Sequence, residues 1–298
     1  MPSDYASHFV SAQDGLKLHV RAYGPGGGEN LPVVCLPGLA RTSADFHELA
    51  LALSRHTETP RRVIAMDYRG RGRSDYDPNP ANYNLAVELN DVLTALTALG
   101  IGPAVFVGTS RGGILTMLLA TVSPAALAGA VLNDIGPVIE LQGLIRIKSY
   151  VGKMPPSKSY DEATAILRRL FGAQFPKLTS EDWVDYARRS FEQRDGKLVP
   201  SYDPMLAKIL EGIDPERPPA PLWNAFDALA AVPVMVIRGA LSDLLSAETV
   251  AAMRQRRPDL EVMEVPDQGH APLLTDAASI RRIAAFVLRC DRARADVR

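Results

Sequence analysis

A serine hydroxyl becomes a useful nucleophile only when a neighbouring base takes its proton, so serines on strained turns are the first residues to seek. The string Val105-Phe106-Val107-Gly108-Thr109-Ser110-Arg111-Gly112-Gly113-Ile114 holds one. It is Gly-x-Ser-x-Gly set between an apolar run that reads as a strand and an apolar run that reads as a helix. The glycines two before and two after the serine let the backbone turn sharply without side-chain clashes. The helix that follows would point the positive end of its dipole at the serine, where an oxyanion could develop. The bland alternative is a glycine-rich turn whose serine merely caps a helix.

Of the five histidines, His8 and His19 fall in strand-like N-terminal segments, and His47 and His56 fall in or just after a helix; these four read as surface or packing residues. His270 differs, because it sits in the polar loop Asp267-Gln268-Gly269-His270-Ala271-Pro272 after a strand pattern. Loops at the C-terminal ends of parallel strands are where open α/β sheets collect chemistry. A carboxylate must then fix the imidazole tautomer and stabilise its cation. Two aspartates qualify: Asp243 in Arg238-Gly239-Ala240-Leu241-Ser242-Asp243, and Asp134 in Leu132-Asn133-Asp134-Ile135-Gly136. Both keep the order Ser…Asp…His. Asp243 is favoured because it lies in the loop before the one carrying His270, and Asp134 would otherwise hold the start of the segment that follows it. Ser110, His270 and one of these acids would perform two-step acyl transfer.

The elements that must position these residues can be read from periodicity. Two alternating segments, His8–Val10 and Leu16–Tyr23, are joined at Asp14-Gly15 and read as a hairpin. Short apolar strands follow at Pro32–Leu36, Arg62–Met66, Ala104–Val107, Ala130–Leu132, Val232–Ile237 and Leu260–Val265. Between and after them lie helical patterns at Ala44–Arg55, Leu85–Leu99, Gly112–Val122, Ala247–Arg256 and Ala277–Cys290. Alternation of this kind predicts an α/β fold, a mostly parallel sheet flanked by helices on both faces. The rhythm breaks from Gly136 to Leu222, where proline-punctuated helical patterns such as Ala163–Phe171 and Asp182–Gln193 occur without clear strands. The expected organisation is a core formed by 1–135 and 223–298, with a helical cap over 136–222.

Composition narrows the function classes. The chain has 298 residues, 47% hydrophobic and 22% charged, with a net charge of −1. That is an ordinary globular composition with no basic excess to suit nucleic acid. The cluster Arg254, Arg256, Arg257 reads as a solvated helix face. Cys35, inside Val33-Val34-Cys35-Leu36, reads as a small buried hydrophobe, and with Cys290 it makes neither a metal-binding pair nor a disulfide framework. Met1-Pro2-Ser3-Asp4-Tyr5 lacks a secretory signal pattern, and no apolar run is long enough to insert in a membrane. These features lead to the expectation of a cytoplasmic monomer or homodimer that acts on a small-molecule substrate without cofactor or metal.

Taken together, Leu36-Pro37-Gly38-Leu39, Asp67-Tyr68-Arg69-Gly70-Arg71-Gly72-Arg73-Ser74, the elbow at Ser110, the Asp243 loop and Gly269-His270 resemble the α/β-hydrolase family over nearly the whole chain. The resemblance implies an oxyanion hole made by the backbone N–H groups of Leu39 and Arg111. Many members have His-Gly where this chain has Pro37-Gly38. It also implies that the Asp67–Ser74 turn is structural and that the 136–222 segment roofs the pocket and sets substrate choice. Arg111 is unusual after the nucleophile; it could bind an anionic substrate group, but pairing with a loop carboxylate is the preferred reading. Within the family, carboxylic ester hydrolysis is the leading expectation. Carbon–carbon hydrolysis of ring-cleavage products, lactone opening and amide cleavage use the same triad. Dehalogenase and epoxide hydrolase chemistry is disfavoured, since relatives doing it carry an aspartate nucleophile. A non-catalytic receptor on the same fold is the rival from another class.

Overall fold

The computed structural model describes residues 4–214 and 216–295. Met1–Ser3, the start of the stretch read for a secretory signal, lie outside them, as do Pro215 from the proline-rich segment and the chain end Asp296–Arg298. In chain order the strands and helices are β1 (Ala6–Ser11), β2 (Lys17–Tyr23), β3 (Val33–Leu36), α1 (His47–Ser54), β4 (Val63–Met66), α2 (Leu85–Ala98), β5 (Ala104–Thr109), α3 (Arg111–Val122) and β6 (Leu127–Asn133). Then come α4 (Leu141–Tyr150), α5 (Tyr160–Phe171), α6 (Ser180–Ser190), β7 (Phe191–Arg194), β8 (Lys197–Pro200), α7 (Trp223–Asp227), β9 (Val234–Gly239), α8 (Ala247–Arg256), β10 (Glu261–Val265) and α9 (Ala277–Ala295).

Eight strands form one sheet in the order β1-β2-β4-β3-β5-β6-β9-β10. β1 and β2 form the expected antiparallel hairpin and β2 runs antiparallel to β4; every other pairing is parallel. The central strands are apolar on both faces because helices cover both. Alternate residues split cleanly between two cores. Val34, Leu36, Ile64, Phe106 and Leu132 face α2, α3, α7 and α8. Val33, Cys35, Val63, Val105, Val107 and Val131 face α1 and α9. This alternation fixes strand register, since a slip of one residue would exchange the two faces.

β5, β6 and β9 are adjacent and parallel, so three loops lie together at the C-terminal ends of these strands: the elbow after β5, the loop after β6 and the loop after β9. The His270 loop after β10 completes the group. Between β6 and β9 the chain leaves the sheet. There α5, α6 and the first residues after them form a separate apolar cluster, including Leu167, Phe171, Phe175, Trp183 and Tyr186. Thr179 and Asp182 start α6 with a reciprocal capping box. One expectation fails here. The segment is not wholly helical, because β7 and β8 form an antiparallel hairpin, and α6 stops at Ser190 rather than running to Gln193. Among the described residues, no helix is long and apolar enough to cross a membrane.

Candidate active site

Ser110 stands between β5 and α3 with φ 50° and ψ −111°, a backbone conformation that side chains other than glycine seldom adopt. The turn is pinned on both sides. Ser110 N–H donates to the Asn133 carbonyl at 2.9 Å, and its own carbonyl accepts from Gly113 and Ile114 at 2.9 and 3.1 Å. The flanking glycines answer a packing need. A Cβ on Gly108 would lie 2.5 Å from the Gly112 carbonyl group, and one on Gly112 would lie 2.0 Å from the Leu36 oxygen. Strand and helix can approach this closely only with glycine at both positions.

His270 Nε2 lies 2.9 Å from Ser110 Oγ, and His270 Nδ1 lies 2.8 Å from Asp134 Oδ2. Asp134 is fully buried. Its Oδ1 accepts Gly239 N–H at 2.7 Å and its Oδ2 also accepts the Ser242 hydroxyl at 2.5 Å. The carboxylate, the imidazole and the serine therefore form one hydrogen-bonded chain. A base and its orienting acid in this arrangement can draw a proton from the serine hydroxyl.

Asp243 does not meet His270. Its carboxylate forms a two-pronged pair with Arg146 of α4, Nε to Oδ2 at 2.5 Å and Nη2 to Oδ1 at 2.7 Å. The expectation that Asp243 contacts the histidine is therefore corrected, and Asp134 holds that position. The reason lies at the end of β9. Gly239 N–H, in the last residue of the strand, and Ser242 Oγ–H, in the loop after it, donate to Asp134, so a carboxylate from the end of β6 fills the space beside His270.

Of the two expected oxyanion donors, Arg111 follows Ser110 in the chain and Leu39 comes from the loop after β3. Leu39 lines the cavity above the serine, and a Cβ on the preceding Gly38 would be 3.9 Å from Ser110 Cβ. Arg111 begins α3, where a backbone N–H has no carbonyl one turn earlier to satisfy it. The Arg111 side chain turns away from the cavity. Its Nε donates to Glu88 Oε2 at 2.5 Å, so the pairing reading holds, although the acid sits on helix α2 rather than in a loop. Glu88 Oε1 also lies 2.8 Å from Arg71 Nη1, with both side chains fully buried. Arg71 Nε in turn donates to the Leu39 carbonyl at 2.8 Å. One buried acid thus ties together the arginine whose amide flanks Ser110 and the arginine that holds the Leu39 loop.

The Asp67–Ser74 turn has the structural role expected of it. Arg69 bonds Asp91 of α2 through Nε and Nη2 and bonds Asp77 through Nη1, all at 2.5–2.7 Å. Asp67 accepts the Ser43 amide at 2.6 Å and His19 Nδ1 at 2.7 Å. His19 is fully buried, a packing histidine as read, and its Nε2 lies 3.1 Å from Ser7 Oγ. That Ser-His-Asp chain has no glycine elbow or helix N-terminus at its serine, which sits on exposed strand β1.

The cavity above Ser110 measures about 90 Å³, well below the several hundred Å³ that drug-sized ligands fill. Its apolar wall includes Ile147, Met154, Leu167 and Phe171, all from the segment between β6 and β9. Gln174 of the same segment clasps the histidine loop: its side-chain oxygen accepts His270 N–H at 2.8 Å and its carbonyl accepts Gly269 N–H at 2.7 Å. Sequence reasoning missed Gln174, Ser242 and Glu88. Of these only Glu88 left a trace, as an acid next to the apolar face of α2. Among the described residues, no cluster of three or more His, Cys, Asp or Glu could hold a metal ion.

Comparison with known proteins agrees with this fold. Residues 33–283 match the alpha/beta hydrolase family. The chain is 35% identical to a 3-hydroxybutyrate-oligomer hydrolase from Cupriavidus necator, covering 91% of this chain and 94% of that protein. It is 28% identical to a 2-(acetamidomethylene)succinate hydrolase from Mesorhizobium japonicum, covering 91% and 92%. Its fold overlies the crystal structure of an alpha/beta hydrolase from Novosphingobium aromaticivorans with a TM-score of 0.89 at 39% identity, covering 97% of this chain and all of that one. The chain belongs to the alpha/beta hydrolase family.

Proposed function

We propose that the protein hydrolyses a carboxylic ester of a small organic acid, with Ser110 as nucleophile, His270 as base and Asp134 as the acid that orients it. The observation that carries this reading is the unbroken chain Ser110 Oγ–His270 Nε2 and His270 Nδ1–Asp134 Oδ2, at 2.9 and 2.8 Å. Ser110 Oγ adds to the ester carbonyl carbon while Nε2 takes its proton. The carbonyl oxygen, now an anion, is held by the amides of Leu39 and Arg111. The carbon–oxygen bond to the alcohol breaks, and His270 returns the proton to the departing alkoxide. A water then gives its proton to His270 and attacks the acyl-enzyme; the acid leaves and Ser110 regains its hydrogen.

The small cavity and its partly apolar wall favour short acyl groups. The segment between β6 and β9 acts as the cap that sets this choice. An oligomer of 3-hydroxybutyrate, the substrate in one relative's name, is joined by ester bonds, and that chemistry suits a serine triad. The test is a series of p-nitrophenyl esters of rising acyl length, run beside a linear 3-hydroxybutyrate dimer, with wild type and Ser110→Ala. Turnover of short esters that vanishes in Ser110→Ala supports the reading. Turnover of none of them by a folded wild type, or undiminished turnover by Ser110→Ala, contradicts it.

A further inference from the structure

The wall of the cavity over Ser110 is mostly apolar, yet one side carries two guanidinium groups. Arg41, in the loop after β3, and Arg189, in the last turn of α6, both line it beside Asp45. Arg41 is fully engaged. Its Nε and Nη2 donate to Asp45 at 2.6 and 2.5 Å, its Nη1 donates to Ser190 Oγ at 2.8 Å, and it lies 4.4 Å over the Tyr186 ring. Burial opposes the Arg41 charge, but Asp45 outweighs it and holds the guanidinium above its ordinary value. Arg189 is placed differently. Its Nε is 4.0 Å from Asp45 Oδ1, and among the described residues its side chain makes no hydrogen bond. Two guanidiniums share one carboxylate, so the cavity side of this wall carries one net positive charge, with its charged side chains only about 20% exposed; on its outer side Arg189 borders an open groove with Glu48 and Asp185.

Arg189 shares the lining of this cavity with Ser110, and the Arg41 stem beside it sits close to the nucleophile. A Cβ on Gly38 would be 3.3 Å from Arg41 Cγ and 3.9 Å from Ser110 Cβ, so a single glycine separates the two side chains. The Tyr150, Tyr186 and Tyr202 phenols line the same cavity, and burial raises each of them, so they remain neutral. A neutral substrate filling the space would leave the Arg189 guanidinium with only its 4.0 Å approach to Asp45 on the cavity side. A planar carboxylate matches the guanidinium fork and cancels its one spare charge, whereas a phosphate dianion would leave charge over.

We infer that Arg189, with Arg41 beside it, binds a carboxylate of the substrate, so that the ester cleaved at Ser110 carries a free carboxylate a few bonds from the scissile carbonyl. The inference rests on Ser110 being the nucleophile. Monomethyl and dimethyl succinate present the same acyl group with and without the charge. Wild type should favour the monomethyl ester in kcat/KM by about tenfold or more, the scale of one charge-assisted hydrogen bond. The preference should shrink as salt rises, because the pair is partly exposed. Arg189→Gln should bring the ratio of the two esters close to one, and Arg189→Lys should keep part of it. Calorimetry on Ser110→Ala, with and without Arg189→Gln, gives the same comparison as dissociation constants and does not depend on turnover. Equal handling of the two esters by wild type, or a preference that survives Arg189→Gln, overturns the inference. Dimethyl succinate hydrolysis that persists in Ser110→Ala overturns the nucleophile assignment instead.

Discussion

Asp134 meets His270 because of where β6 ends. β6 lies between β5, which carries Ser110, and β9, so the residue after it faces both the elbow and the β9 loop. Three donors converge on its carboxylate: Gly239 N–H, Ser242 O–H and His270 Nδ1–H. An amide in its place must turn its NH₂ toward one of these donors. Asp134→Asn should therefore lower kcat by about 10⁴, the size known for the same change in a serine protease triad. Asp243→Asn should leave kcat within a few-fold and cost about 1 kcal/mol of stability or less, since its pair with Arg146 is partly exposed. Steady-state kinetics and urea denaturation of the two variants check both outcomes; a large kcat loss in Asp243→Asn alone would reverse the assignment. At this scale Ser110 and His270 were legible, because a strained Gly-x-Ser-x-Gly turn and a histidine in a loop past a strand each leave a local pattern. The acid was not. Asp134 and Asp243 both follow parallel strands, and what separates them is the pairing of Asp243 with Arg146, a residue 97 positions away.

At the scale of elements, helix α2 does more than cover the sheet. It carries two buried acids, Glu88 toward Arg71 and Arg111 and Asp91 toward Arg69. Removing one partner from a buried ion pair leaves uncompensated charge, so Glu88→Gln should destabilise the protein by about 3–5 kcal/mol. It should also reduce kcat, because Glu88 holds both the arginine at the start of α3 and the arginine bonded to the Leu39 carbonyl. Asp91→Asn loosens the same helix without touching those groups, so it should lose stability with a smaller change in kcat per folded molecule. Equal kcat losses in the two variants would mean that α2 acts only as scaffold. The apolar spacing of α2 and the alternation of the central strands made these elements legible. The β7–β8 hairpin was not, although its sign was present: Asp195-Gly196, both at positive φ, join the two strands, the dipeptide that tight hairpin turns favour. The surrounding helical periodicity masked a strand pair of four residues each.

For the whole molecule, the core between the sheet and helices α1 and α9 seals both thiols. Cys35 and Cys290 are fully buried, and burial pushes the Cys290 thiol up to about 12 and the Cys35 thiol higher still. The thiolate is the reactive form, so the native protein should resist a thiol-reactive disulfide reagent at pH 8 and release two equivalents only on unfolding. Rapid labelling of the folded protein would contradict this burial. Because the folded Cys290 value lies above its ordinary 9.0, its contribution to stability is intact below that pH and is lost as pH climbs toward about 12. The division into a sheet and an excursion between β6 and β9 was legible because strand and helix periods differ. The side chains that meet across that division, Gln174 on the histidine loop and Arg146 on Asp243, were not, because nothing local marks them. In the proposed mechanism the fold activates one serine among all those in the chain. Intact-mass analysis after treatment with a fluorophosphonate, with ester turnover followed on the same sample, tests it most directly. One adduct per chain is expected, on Ser110, with activity lost in step, and no adduct on Ser110→Ala or on His270→Ala. Labelling that persists in Ser110→Ala, or full labelling with activity retained, would contradict it.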